Sequence, residues 1–170
     1  MQKEIVEFIA KCHLGAFCVC SFDGASADDA PKKANFSEFD ILNGLNLHPF
    51  SAFYAYDKSG QNLIVATDSK TEHGMVAKNN NKILQNAGEN LCQIAGIIAP
   101  DTKVVSHIQG VQIRGQISPL NKNQTELANL YYKRFPYALA MRPNLCKIQL
   151  DWVKFTDNLA FFGRKITWQR

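Results

Sequence analysis

The chain has 170 residues, a formal net charge of +4, 46% hydrophobic and 11% aromatic residues, which is too apolar for a disordered chain and long enough to bury one core. Its basic residues are dispersed, with only the pairs Lys32-Lys33, Lys133-Arg134 and Arg164-Lys165, so no nucleic-acid footprint is indicated. Apolar stretches such as Gln93–Pro100 fall short of the ~20 residues that span a bilayer, and Met1–Glu4 leads into no signal-type hydrophobic region, so a single-domain cytoplasmic protein with no membrane contact is expected.

In chain order, Gln2–Leu14 places Ile5, Val6, Ile9 and Leu14 at helical spacing with charged residues between them, predicting an amphipathic helix that ends near Gly15. The short apolar run Ala16–Phe22 predicts a buried strand. Asp23–Leu47 turns polar, with Phe36, Phe39, Ile41 and Leu42 as its only anchors, and reads as an inserted loop over 23–48 with one helical turn. Phe50–Tyr56 and Asn62–Thr67 are strand-like and joined by a Gly-containing connection, which predicts a hairpin. Ser69 and Glu72 have the spacing of a capping box, so a helix is expected to open within Asp68–His73 and run to about Asn79.

Further strands are predicted at Leu91–Ala99 and Val104–Ile117, the latter with Val111, Ile113, Gly115 and Ile117 on one face. Asn123–Phe135 has helical spacing and is stopped by Pro136. Lys147–Phe155 and Leu159–Trp168 alternate around Asp157-Asn158, giving a final hairpin. Mostly hairpin-linked strands with helices at the margins predict a mainly β fold, an antiparallel barrel.

Five cysteines, an odd count with no export signal, predict reduced thiols. Cys12-His13 and Cys18-x-Cys20 gather soft ligands, but Cys18 and Cys20 share a strand face and suit small buried hydrophobes equally, and no second pair completes a metal site. No metal is expected, and no catalytic residue is identified.

The segments Ser51-Ala52-Phe53-Tyr54-Ala55-Tyr56-Asp57, Leu63–Thr67 with Ser69-Lys70-Thr71-Glu72-His73, and Gly110–Gly115 together resemble the pyridoxamine 5'-phosphate oxidase-like split-barrel superfamily. Ile108–Gly115, Tyr132–Pro136, and Lys154–Asn158 through Gly163-Arg164-Lys165 look like its uncharacterised bacterial YhbP-type branch. The likeness covers most of 1–22 and 49–170.

The resemblance implies a six-stranded antiparallel split barrel that forms a homodimer, with flavin mononucleotide (FMN) in a groove at the dimer interface. It leaves two functions open: an FMN-dependent oxidoreductase using a reduced nicotinamide donor and a small acceptor, or a non-enzymatic flavin- or haem-binding protein of the same fold. It also assigns a site. Thr67, Lys70, Thr71 and His73 would hold the flavin phosphate. Ser51, Ala52 and Phe53 would run beneath the isoalloxazine, Gln112 and Arg114 would reach the ring or ribityl chain, and Arg164 would approach from the partner subunit, with Trp168 covering a ring. Glu72 stands where similar proteins commonly have Arg, and a carboxylate there would repel a phosphate.

Overall fold

The computed structural model describes residues 1–22, 45–77 and 92–170. Helix α1 (Lys3–Lys11) buries Ile5, Phe8 and Ile9, the apolar stripe set by its 3.6-residue period. It is shorter than the expected Gln2–Leu14, because Cys12 is already extended and Leu14 opens β1 (Leu14–Phe22). The last carbonyls of a helix have no partner within it, and here other elements supply them. Tyr54 Oη donates to Ile9 O at 2.8 Å, and Arg134 donates through Nη1 to Ala10 O at 3.0 Å and through Nη2 to Cys12 O at 2.8 Å.

The remaining strands are β2 (Leu45–Asp57), β3 (Asn62–Thr67), β4 (Cys92–Ile98), β5 (Gln109–Pro119), β6 (Asn144–Asp157) and β7 (Lys165–Gln169). Every pairing is antiparallel, in the order β3-β2-β1-β4-β5-β6-β7, and β3 also pairs with β6. That last pairing closes six strands into a barrel and leaves β7 outside it. Strand β6 serves both: its first half pairs with β3 from Asn144 to Gln149, and its second half with β7 from Trp152 to Thr156.

The expected strands differ from these at three places. The inserted loop was expected to reach residue 48, but β2 begins at Leu45; the helical turn expected within the insertion lies outside the described residues, as do residues 78–79 of the expected helix. Strand β5 begins at Gln109, because Val105–His107 is a 3-10 turn that leaves Val104 and Val105 exposed. The chain 158–164 is a turn, not strand. Asp157 Oδ1 accepts the Ala160 N–H and Asn158 Oδ1 accepts that of Gly163, whose φ is +78°, so side chains take backbone donors that a ladder would use.

Residues 72–77 are helical (α2), and α3 (Thr125–Arg134) is followed by α4 (Ala138–Met141), which the sequence did not announce. Pro136 ends α3, yet its carbonyl accepts the Leu139 N–H at 3.1 Å and so starts the next turn.

Inside the barrel, Phe17, Val19, Tyr54, Leu63, Val65, Ile94, Ile113, Ile148, Leu150 and Val153 pack with the apolar side of α1. A second cluster lies outside the wall, where Tyr131, Phe135 and Ala138 of α3 and its neighbour cover Ala55, Ile64 and Leu145. This double covering explains why β3 is buried almost throughout.

Candidate functional site

Helices cover the outer face of β2 and β3, but nothing described covers that of β1, β4 and β5. Side chains alternate across a strand, so the register defines what this face shows. One row runs Ser51, Ala16, Ile97, Gln112 and Lys154; the next runs Pro49, Cys18, Ala95, Arg114 and Trp152. These rows form a shallow groove of about 700 Å³, within the range of roughly 300–1,000 Å³ usual for small-molecule sites.

The floor is apolar and flat where Ala16 and Ala95 carry single methyl groups. Gly96 between them faces the barrel core, where a Cβ would stand 2.6 Å from Phe17 Cδ1. Cys18 is half-buried in this floor, and among the described residues Cys12, Cys18, Cys20 and Cys146 form no disulfide. Burial, and then the neighbouring Cys18, pushes the Cys20 thiol pKa up.

The polar groups sit at one side. Arg114 lies over the Trp152 ring with its Cζ 4.4 Å from the ring centroid, a cation–π geometry. Among the described residues no carboxylate pairs with Arg114, and no Asp, Glu or His lines the groove. A flat apolar floor with one unpaired guanidinium and one amide suits a planar, anionic ligand.

Of the residues expected from resemblance, Ser51, Gln112 and Arg114 meet in this groove. Ala52 faces the opposite way, against the barrel core. Phe53 shares the face of Ser51 but lies beyond the groove, its ring 6.0 Å from His13 and 5.6 Å from Phe135. Thr67 is buried, with Oγ1 3.4 Å from both Asn144 O and Cys146 Sγ.

The stretch 68–74 is organised around its own backbone. Asp68 Oδ1 accepts the Lys70 N–H at 2.9 Å, and Lys70 itself is exposed. The helix cap is Thr71, not Ser69: Thr71 Oγ1 accepts the Gly74 N–H at 3.3 Å and donates its proton to Asp68 O at 2.7 Å. Its remaining contact is His73 Nε2 at 3.2 Å, so the hydroxyl is fully engaged within the turn. Glu72 turns to His48 Nδ1 at 3.4 Å rather than back to Ser69. His73 stacks on Phe50, whose ring, like Ala52, turns to the barrel side and packs on Phe17 rather than into the groove.

Arg164 is held elsewhere, 3.2 Å from Glu4 and 3.8 Å from Asp157. Trp168 packs on the barrel core, while Phe161 and Phe162, in the turn before β7, are 75% and 68% exposed.

Trp152 is the groove residue that sequence reasoning missed. A signal for it exists: from Cys146 through Ile148 and Leu150 the apolar positions are even, and from Val153 and Phe155 they are odd. That change of parity is a β-bulge.

No protein-family model matches the sequence. The structure is similar to a haem-binding protein from Mycobacterium smegmatis (TM-score 0.58, 10% identity, 95% of this chain but only 55% of that one). It is similar also to an FAD-binding protein from Mesorhizobium loti (0.53, 10%, 88% and 87%) and to a protein of the pyridoxinephosphate oxidase family from Clostridium acetobutylicum (0.50, 12%, 98% and 92%). At these identities the likeness shows the fold, which is the split barrel. In sequence the chain is 36% identical over 121 residues to the UPF0306 protein YhbP of Escherichia coli, covering 71% of this chain and 79% of the relative. It is 35% identical over 131 residues to a UPF0306 protein of Cronobacter sakazakii, covering 76% of this chain and 83% of that relative. A barrel of this kind, matched at that level over most of both sequences, makes the chain a member of the UPF0306 family.

Proposed function

We propose that this protein binds a flavin, FMN, in the groove between β1, β2, β4, β5 and β6, and that a second copy completes the site. The observation that carries this reading is Arg114 over Trp152 beside the flat apolar floor of Ala16, Cys18 and Ala95. The residues fit the cofactor: small side chains let a planar ring approach, Gln112 offers a donor and an acceptor, and Arg114 offers the charge that an anionic phosphate needs. Thr71 and His73 are engaged in their own turn and against Phe50, on the other face of β2 from the groove.

Support for the second copy comes from exposure. Leu14, Leu47 and Ile97 are each 50% exposed or more on this face, and apolar surface of this kind marks an interface. The proposed homodimer would give both grooves a roof.

A bound flavin would supply the redox chemistry between a reduced nicotinamide and a small acceptor. The chain's part is to orient the ring on the β1–β4 floor, fix its charged end at Arg114 and exclude water. A second reading, a holder of flavin or haem without turnover, is favoured by one observation: among the described residues the groove is lined by no Asp, Glu or His, so no acid–base pair of these stands ready.

The visible spectrum of the purified protein tests both. Two flavin bands that survive into the supernatant after heat release establish a non-covalent flavin, and a single intense Soret band establishes haem. Anaerobic addition of NADH or NADPH then separates turnover from holding, since bleaching reports hydride acceptance. A colourless protein that takes up neither FMN nor haem overturns the proposal.

A further inference from the structure

We infer that Trp152 is the positioning residue of the groove: a bulge in β6 turns its indole outward, and the indole keeps the guanidinium of Arg114 over the floor as the anchor for an anionic group. This rests on the reading of the groove as the site of a planar anionic ligand.

The bulge is a jump in register held by two supports. Opposite it, the pairing jumps from Arg114–Trp152 to Gly115–Leu150, leaving Asp151 without a partner in β5. The position facing the jump has to be glycine, because a Cβ on Gly115 would run into the carbonyl of Gln149. From the other side Arg170 grips the irregular backbone: its N–H donates to Asp151 O at 2.9 Å, Nε to Leu150 O at 3.0 Å, and Nη2 to Gly60 O at 3.0 Å.

Without the extra residue, strict alternation would point Trp152 into the barrel together with Ile148 and Leu150. With it, the indole lies on the outer face directly across from Arg114. An arginine on an open sheet face otherwise samples many rotamers, and a ligand must freeze it on binding. Stacking on a half-buried indole fixes it in advance, so the effect on affinity is confined to ligands that carry the negative charge.

The chain has two tryptophans, so Trp168→Phe leaves Trp152 as the sole indole reporter. In that background Arg114→Gln is expected to change the Trp152 emission before any ligand is added. Titration with FMN and with riboflavin, which lacks the phosphate, supplies the second readout. Trp152→Leu should weaken FMN about five- to tenfold and leave riboflavin within about twofold. Trp152→Phe should restore most of the loss, and Trp152→Leu with Arg114→Gln should be no worse than Arg114→Gln alone.

Equal losses for both flavins in Trp152→Leu would show that the indole only packs, and would overturn the inference, as would unchanged emission in Arg114→Gln. An emission change in a protein that binds neither flavin supports the pairing while overturning the flavin reading.

Discussion

The rings of His73 and Phe50 lie nearly parallel, 5° between their planes with centroids 4.1 Å apart. Stacked there, His73 is partly withdrawn from water, and burial, reinforced by the nearby His48, holds its pKa below the ordinary histidine value. The folded protein therefore keeps the ring neutral where the unfolded chain protonates near about 6.5. The stability this contributes is present above that pH and is lost as pH falls through it towards the lower folded value. His73→Phe keeps the stack without the proton. Thermal melts between about pH 7.5 and about pH 5 should fall less steeply in that variant than in the wild type, and parallel curves would refute the assignment.

The end of α1 depends on two distant side chains. Removing the two charge-assisted bonds of Arg134 by Arg134→Gln should cost about 1.5–3 kcal/mol, and Tyr54→Phe, which leaves Ile9 O unsatisfied in the core, about 1 kcal/mol. At roughly 2–4 °C per kcal/mol for a chain of this size, calorimetry should rank them in that order, with Arg134→Lys intermediate.

Asp57 anchors the β2–β3 turn by accepting the N–H groups of Ser59 and Gly60, the Ser59 hydroxyl and the Asn62 amide, at 2.6–3.1 Å. Burial pushes its pKa up, but these donors together outweigh it and hold the carboxyl below the ordinary carboxylate value. A depressed carboxylate stabilises the fold above its unfolded pKa and ceases to as pH falls through the folded one. Asp57→Asn should therefore flatten the acid limb of the stability curve below about pH 4 while costing little there. Urea midpoints measured across that range decide it.

The groove floor offers a test that leaves the barrel core alone. Ala95 points outward and is exposed, so Ala95→Phe should keep the melting temperature within about 2 °C, as surface changes usually do, while a ring filling the floor should abolish flavin uptake. A variant that still bound FMN with wild-type affinity would place the ligand elsewhere.

Much of this architecture was legible in the sequence because barrel strands that are buried on one face must alternate. The run from Val111 to Ile117 shows it without interruption, and the structure buries those residues in turn. What alternation could not show is which outer faces the helices would cover. Ser51 and Ala55 have the same parity on one strand, yet Ser51 lines the open groove and Ala55 lies beneath α3. Capping misled for a related reason: Ser69 and Glu72 have the right spacing, but Asp68 organises the turn two residues later and Thr71 caps it, freeing Glu72 to reach His48. Trp152 was obscured by the bulge, since a period of two carried through Asp151 assigns it to the wrong side.

Strand β6 thus divides its work at Asp151. The half before the bulge determines whether the barrel closes, through its ladder with β3; the half after it shapes the open face, through Trp152 and its ladder with β7. Substitutions at the inward Ile148 and Leu150 should accordingly be read in the melting temperature, and those at the outward Trp152 in the choice of ligand. A groove built this way can be recut for a different planar molecule without reopening the wall behind it.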